Sequence, residues 1–430
     1  MRTLWALVAL LVACACTSGA GPLTGPHVVA IGVDLPLTGA DGISGNASLN
    51  GIRYYIHQHP TVDGRQISLD IKDDAVKGTH NPERGAANVQ ALIANSDVLG
   101  IIGPFDSNVA RAEVPIANEA GLALISPSAS DTCLTKDVFL PSVLNVTAKD
   151  ITCSDASQLT AKELRPLSTN NFFRLVTTDD YQGPAAADYA YNTLHMLKVA
   201  VMSDGEVYGQ ALASGFSIRF VKNGGSIVDH ADFNPAPPPD YASFLKKAKA
   251  DGAQAIYFGG VTANGVCSAR AAMKGLFDTK APLLGGDGIA EDPSCVSAAG
   301  DEAVGIYATV PAINPDSLPA AQPTIKAFKS VYPGKADYDA YTMAAYDATG
   351  LLIDAIHRGF AASGGKIPTR AAVVAQVVIT NYQGVIGLIA FTPEGDITTK
   401  IVSVYESQSS DPLAVWPLLG AIDYSAKPPA

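Results

Sequence analysis

Three short polar segments stand directly after apolar, strand-like runs. They are Pro104-Phe105-Asp106-Ser107 after Leu99–Gly103, Ser126-Pro127-Ser128-Ala129-Ser130 after Leu122–Ile125, and Gly285-Gly286-Asp287-Gly288 after Leu283–Leu284. Hydroxyls and free backbone N–H groups at such places suit a carboxylate or similar acceptor group. A lone carboxylate such as Asp287 suits an ammonium group. In open α/β sheets, ligands bind outside the carboxyl ends of the strands. Each feature also has a plainer explanation: a serine there caps a helix, and an aspartate between glycines makes a turn. Signatures of catalysis are missing. There is no HExxH, no GxSxG elbow, no Walker loop and no GxGxxG opening a helix. The seven histidines are scattered, and no CxxC or HxxxH spacing marks a zinc site. No cofactor or metal is expected, and the chain reads as a binder, not an enzyme.

The elements that must position these residues follow one pattern. Apolar runs at His27–Leu35, Ile67–Lys72, Val98–Gly103 and Leu122–Ser126 read as strands. Helical periodicity falls at Arg84–Asn95 and Val109–Glu119, where apolar residues recur at i, i+3 and i+4. The alternation resumes with strands at Lys198–Ser203, Ser226–His230, Ala255–Gly259 and Leu283–Gly285. Helices lie between them near Gln210–Asn223, Tyr241–Asp251 and Asn264–Gly275. Strands apolar on both faces and separated by helices predict parallel sheets covered by helices, in two α/β lobes. The pattern lapses over Asp131–Asn171, a polar stretch without a clear period. Near the end, Gly387–Phe391 and Ile401–Glu406 read as strands joined by the turn Thr392–Asp396.

A chain of 430 residues, 47% apolar, has material for two cores or more. The net charge of -12 argues against nucleic acid, whose phosphates need a basic surface. Arg2 and the apolar run Leu4–Ala13 have the form of a secretory signal, too short to span a membrane. Leu11-Val12-Ala13-Cys14 looks like a bacterial lipobox, which implies cleavage before Cys14 and a diacylglycerol on its thiol. A tether of Gly, Ser, Thr and Pro follows. In an exported chain the even set Cys133, Cys153, Cys267 and Cys295 reads as two disulfides. Three connectivities are open, and Cys133–Cys153 with Cys267–Cys295 is the most local.

Taken in order, the motifs resemble the type I periplasmic binding proteins for branched-chain amino acids and related solutes. The carriers are Gly32–Gly39 with Asn50-Gly51, Ile101-Ile102-Gly103-Pro104 with Ser107, Ile125–Ser128, Phe173-Arg174 with Gln182-Gly183, Tyr208-Gly209, Ile256–Gly260, Gly285–Gly288 and Tyr346-Asp347-Ala348. The resemblance implies two Rossmann-like lobes joined by a hinge that the chain crosses three times. Its expected segments are a signal peptide 1–13, a lipidated tether 14–26, a first lobe 27–176 plus 311–386, and a second lobe 177–310 plus 387–430. It implies that Ser107, Ser128 and Ser130 hold a ligand carboxylate on the first lobe, while Tyr208 and Asp287 face it from the second, Asp287 taking the α-ammonium. Tyr341 would wall the side-chain pocket. Ser44 and Val261 fall where some amino-acid binders carry tyrosine, a departure that puts the exact solute in question: a branched-chain amino acid leads, with amides, urea and small carboxylic acids as alternatives. The implied partners are an ABC transporter permease and, through the lipid, the outer face of the cytoplasmic membrane; the chain would act as a monomer. A sensor of the same fold, signalling to a membrane partner, is one rival reading, and an exported α/β enzyme whose catalytic residues meet only in space is the other.

Overall fold

The computed structural model describes residues 28–140, 150–156, 158–234 and 240–425. The expected signal segment, Cys14 and the tether lie outside the described residues.

Two sheets carry the fold. The first runs in the order Phe172–Arg174, Ala123–Ser126, Val98–Ile102, Val28–Leu35, Arg65–Asp73, Thr61–Val62. All its pairs are parallel except the short terminal one. The second runs Ser226–Asp232, Lys198–Ser203, Ala255–Gly259, Leu283–Gly285, Ile306–Val310, and closes with the antiparallel strands Ile401–Ser407 and Leu418–Asp423. Setting aside the two-residue edge strand Thr61–Val62, the first strand of each sheet in sequence lies between the second and third, so the winding reverses there. That reversal opens a crevice at the carboxyl ends of Val28–Leu35 and Val98–Ile102, and of Lys198–Ser203 and Ala255–Gly259.

Burial explains why the strands could be read from the sequence. Val28–Leu35, Val98–Ile102 and Ala255–Gly259 are buried at every position because helices cover both faces. On the first sheet, Gly42–Gln58 packs beside Thr342–Ala362, with the Tyr54, Tyr55 and Tyr346 rings in contact. Pro82–Ala94 and Ser107–Glu119 cover the other face through Val89, Leu92, Ala110 and Val114. The helix Pro82–Ala94 starts where Asn81 Oδ1 accepts from the Arg84 N–H at 2.8 Å, with Pro82 in the first turn. On the second sheet, Phe216 of Val207–Lys222 stacks on Tyr257 with ring centroids 4.0 Å apart. Among the described residues no helix is long and apolar enough to cross a membrane.

The C-terminal strands differ from the sequence reading. Gly387–Ala390 pairs with Asn381–Gly384 as a separate hairpin, and Ile401–Ser407 joins the second sheet. They are therefore not partners across the Thr392–Asp396 turn. Local periodicity identifies a strand but carries no information on which strand it pairs with. Ile389 and Ile397 pack in the first core, so we place the last crossing between Ile397 and Ile401, beyond the expected boundary at 386.

The three crossings are bonded to one another. Thr177 N–H donates to the Pro311 carbonyl at 2.7 Å, and the Ser403 hydroxyl donates to the Ala312 carbonyl at 2.7 Å. Arg174 N–H donates to the Gly395 carbonyl at 3.1 Å, and its Nε to Asp396 Oδ1 at 2.7 Å. Arg174 is fully buried, and its Nη1 also reaches the carbonyls of Ala129 and Asp131.

The aperiodic stretch Asp131–Asn171 holds a short antiparallel pair, Val138–Leu140 with Ile151–Thr152. A disulfide joins Cys133 to Cys153, and another joins Cys267 to Cys295, the most local of the possible pairings. The bridges close sequence separations of 20 and 28 residues. In the chain-entropy model, loops of this size contribute about 3 to 4 kcal/mol each. Reduction should therefore lower the thermal unfolding midpoint by several degrees, as read by calorimetry with and without dithiothreitol. An unchanged midpoint with all four thiols titratable would show that neither bridge stabilises the native state.

Candidate ligand cleft

The carboxyl ends of the two sheets face each other across one cavity. Its lining includes Asp41, Ser44, Phe105, Asp106, Ser107, Asn108, Ser128, Ser130, Glu206, Tyr208, Val261, Asp287, Asp292, Asp339 and Tyr341. The space left for centres of water-sized atoms is about 60 Å³, room for a small molecule only. All eight residues singled out in the sequence, Ser44, Ser107, Ser128, Ser130, Tyr208, Val261, Asp287 and Tyr341, meet around it.

Asp287 is the best-organised group. Its Oδ1 accepts from Gln182 Nε2 at 2.7 Å and from the Tyr208 hydroxyl at 2.8 Å, and Oδ2 accepts from the Tyr341 hydroxyl. A carboxylate offers about four acceptor sites, so roughly one remains for a ligand. Burial pushes the Asp287 carboxyl above its ordinary value, while its bonds to Tyr341, Gln182 and Tyr208 pull it back. Tyr208 reaches Asp287 because position 286 is glycine: a Cβ there would lie 2.3 Å from the tyrosine oxygen. Tyr208 also accepts from the Gly288 N–H at 3.0 Å, which fixes its hydroxyl.

On the first lobe the serines divide. The Ser128 hydroxyl donates to the Phe105 carbonyl at 2.7 Å, which commits its proton. Ser130 stands beside the buried Asp179 carboxyl. Ser107 Oγ accepts from the Asp131 N–H at 3.1 Å, which leaves its proton to donate. Ser107 also opens the helix Ser107–Glu119, whose first turn has no side-chain cap from Asp106. Its N–H groups and the Ser107 hydroxyl together suit a carboxylate.

Of the acidic residues of the cleft, the sequence assigns a role only to Asp287. Six carboxylates line the cleft, Asp41, Asp106, Glu206, Asp287, Asp292 and Asp339, and no lysine or arginine does. His80 sits against three of them. Its Nδ1 lies 2.7 Å from Asp41 and 3.5 Å from Asp106, and its Nε2 lies 3.0 Å from Glu206. Burial alone would push His80 down, but Asp106, Asp41 and Glu206 together hold it well above the usual histidine value. Burial also pushes Asp106 up to about 7, against the pull of His80. Glu206 belongs to the second lobe, and Asn108 Nδ2 of the first also donates to it at 3.1 Å. His80 and Asn108 therefore tie the two lobes at the rim. The sequence signal that was available is the Asp-Gly-Glu run at 204–206, directly after the strand Lys198–Ser203.

Among the described residues no group of three His, Cys, Asp or Glu side chains is placed to hold a metal ion. The Lys247 helix face is exposed and paired with Asp229 and Asp251, a solvated surface.

Comparison with known proteins agrees with the two-lobed fold. The family profile described as periplasmic binding protein matches residues 28–411. An amino acid binding protein of Pseudomonas aeruginosa is 26% identical over 383 residues, 88% of this chain and 90% of that one. A Leu/Ile/Val-binding protein homologue of Brucella melitensis is 25% identical over 88% of this chain and 91% of its own length. In fold, a leucine-binding protein from Thermotoga maritima superposes with a TM-score of 0.73 at 23% identity, covering 93% of this chain and 100% of that one. A solute-binding protein from Rhodopseudomonas palustris, in complex with p-hydroxybenzoic acid, gives 0.72 at 19% identity, covering 92% and 97%.

Proposed function

The chain belongs to the periplasmic binding protein family, with the two-lobed type I fold of its branched-chain amino acid receptors, and from that premise we propose that it captures an amino acid between its lobes and delivers it to an ABC transporter permease. The observation that carries the reading is the opposition of two ready half-sites. Asp287, held by Gln182, Tyr208 and Tyr341, faces the uncapped helix start at Ser107 across one small cavity. An α-ammonium on Asp287 and an α-carboxylate at Ser107 satisfy both at once. Closing the lobes then buries two charges that each have their hydrogen bonds, the condition under which burial of charge is tolerated. Ligand occupancy favours the closed form by its differential affinity for that form, and the closed form is what a permease would recognise. The relatives named as amino acid binders support the solute class. The lipobox-like Leu11-Val12-Ala13-Cys14 supports export and anchoring at the outer face of the cytoplasmic membrane.

A benzoate-type acid is the weaker candidate. It brings a negative charge into a cleft already lined by six carboxylates and offers nothing cationic to Asp287. The test is a thermal-shift screen against amino acids, amides, urea and aromatic and aliphatic carboxylic acids. A solute at a hundred times its dissociation constant adds about 2.7 kcal/mol of stability. An amino acid should give the largest shift. A shift from carboxylic acids with none from amino acids would sink the amino-acid assignment.

A further inference from the structure

The aperiodic stretch leaves the first sheet after Ala123–Ser126 and returns to it at Phe172–Arg174, two strands that pair side by side. Parallel neighbours need a crossover, normally a helix. In place of an α-helix, the described residues of this crossover hold a disulfide and a short antiparallel pair. Its side chains divide between the lobes. Leu134 and Leu164 are buried in the first lobe with Leu122, Leu124 and Phe172. Cys133, Cys153, Phe139 and Leu140, each no more than 4% exposed, bury instead against Ala211, with Ile218 and Tyr181 packed beside them. Ala211 and Ile218 belong to Val207–Lys222, the helix whose Phe216 stacks on the second sheet, and Tyr181 belongs to Asp179–Asp188. Polar contacts run the same way. Lys136 Nζ lies 3.1 Å from Asp180 Oδ2 and donates to Thr178 Oγ1 at 3.0 Å, while Thr132 Oγ1 accepts from the Asp180 N–H at 3.1 Å. Cys133 and Leu134, neighbours in the chain, are therefore packed into opposite lobes.

We propose that residues 131–140 with 150–156 form a brace, rooted in the first lobe at Leu134, that grips the helix Val207–Lys222 of the second and limits how far the lobes can part. The grip is a connection between the lobes in addition to the three crossings. It acts on a helix that carries part of the cleft, since Tyr208 stands in its first turn and Glu206 directly before it. Opening beyond the reach of the brace would bring Phe139, Leu140 and Ala211 into water, at a cost that grows with the apolar area exposed. The disulfide makes the grip hold. A two-stranded hairpin is marginal by itself, and Val138–Leu140 with Ile151–Thr152 would peel away under load. Cys153, bonded to Cys133 beside the root at Leu134, keeps both strands in place. The brace works on the hinge and is independent of which solute is captured.

The test is small-angle X-ray scattering of the full chain without solute. Phe139→Ala loosens the grip from the brace, and Ile218→Ser loosens it from the gripped helix, at a position that is only half-buried. Each should raise the radius of gyration above that of the wild-type chain, because the lobes then part further. Leu164→Ala removes apolar burial from the same stretch on its first-lobe side and should leave the radius unchanged. Hydrogen–deuterium exchange at Val28–Leu35 and Ala255–Gly259 reports whether each variant keeps both sheets. Should Phe139→Ala fail to fold, Ile218→Ser decides alone. A rise in a folded grip variant with none in Leu164→Ala supports the brace. A wild-type radius in the folded grip variants, or an equal rise in Leu164→Ala, overturns it.

Discussion

Asp287→Asn should lower affinity for the captured solute by about a hundredfold or more, the largest loss of any single substitution in the cleft. Three donors already converge on this carboxyl: Gln182 Nε2, Tyr208 and Tyr341. The asparagine retains one acceptor oxygen but turns an NH₂ group toward one or more of those donors and toward the ligand's ammonium. Truncating one member of a buried, hydrogen-bonded charge pair costs about 2 to 5 kcal/mol, much of it for the charge left unpaired. Tyr208→Phe is the graded companion. It removes one donor to Asp287 and the acceptor for the Gly288 N–H, at a cost of about 1 to 2 kcal/mol. Titration calorimetry with the solute that gives the largest thermal shift reads both. Wild-type affinity in Asp287→Asn would remove the ammonium assignment, and equal losses in the two variants would point to general disruption of the cleft.

The second large effect is on stability: the folded chain should be most stable near pH 5 and lose stability steadily toward pH 8. Several buried carboxyls are pushed upward by burial, Asp347 to about 7, Asp204 to about 6 and Asp292 to about 6. Asp34 and Glu113, a facing buried pair, are both raised by burial as well. Between about pH 4 and pH 7 the native state keeps protons on these groups that the unfolded chain has released. The native state therefore binds more protons, and stability falls as pH rises through that window. One pKa unit corresponds to about 1.4 kcal/mol, so a net fall on the order of 5 kcal/mol from pH 5 to pH 8 is expected. Asp396 acts in the opposite sense. Burial would raise it, but Arg174, Lys136 and Thr135 outweigh that and hold it well below the ordinary value. Its contribution is present above the unfolded pKa of about 4 and is lost below it, which sets the acid limit. Urea unfolding at a series of pH values measures the curve. Asp347→Asn, still able to accept from the Val385 or Ile386 N–H, should flatten it. Stability that is level or rising from pH 5 to pH 8 would contradict the burial argument.

Much of this molecule could be read before its structure was seen, and the exceptions share a cause. Lys198–Ser203, Ala255–Gly259 and Leu283–Gly285 appear with the boundaries expected from the sequence. Strands buried on both faces are continuous apolar runs, and glycine or charge ends them sharply. Ser107, Asp287 and Tyr208 were recognisable because a strand end is a local feature and the motif order resembles a known family. The pairing of Gly387–Ala390 was not, since pairing depends on residues distant in sequence. Nor were His80, Glu206 and Asp339. His80 lies on a two-residue strand, Thr79–His80, and Glu206 is 126 positions away from it. Nothing local to either residue marks the contact. Their charge is legible in the sequence; their convergence belongs to the tertiary fold.

The bonded crossings bear on how the receptor can move. Because the 174–178, 310–312 and 395–403 segments are tied to one another, and the buried Arg174 anchors the bundle, bending one without the others would break several bonds together. A hinge built this way favours lobes that swing about a single axle, and hydrogen-deuterium exchange across the three segments should show them protected together. A stiff axle delivers the two half-sites to the same registry at every closure. Under the proposed delivery to a permease, the shape shown to that partner would depend on one angle, and the partner could tell loaded from empty by that angle without inspecting the solute.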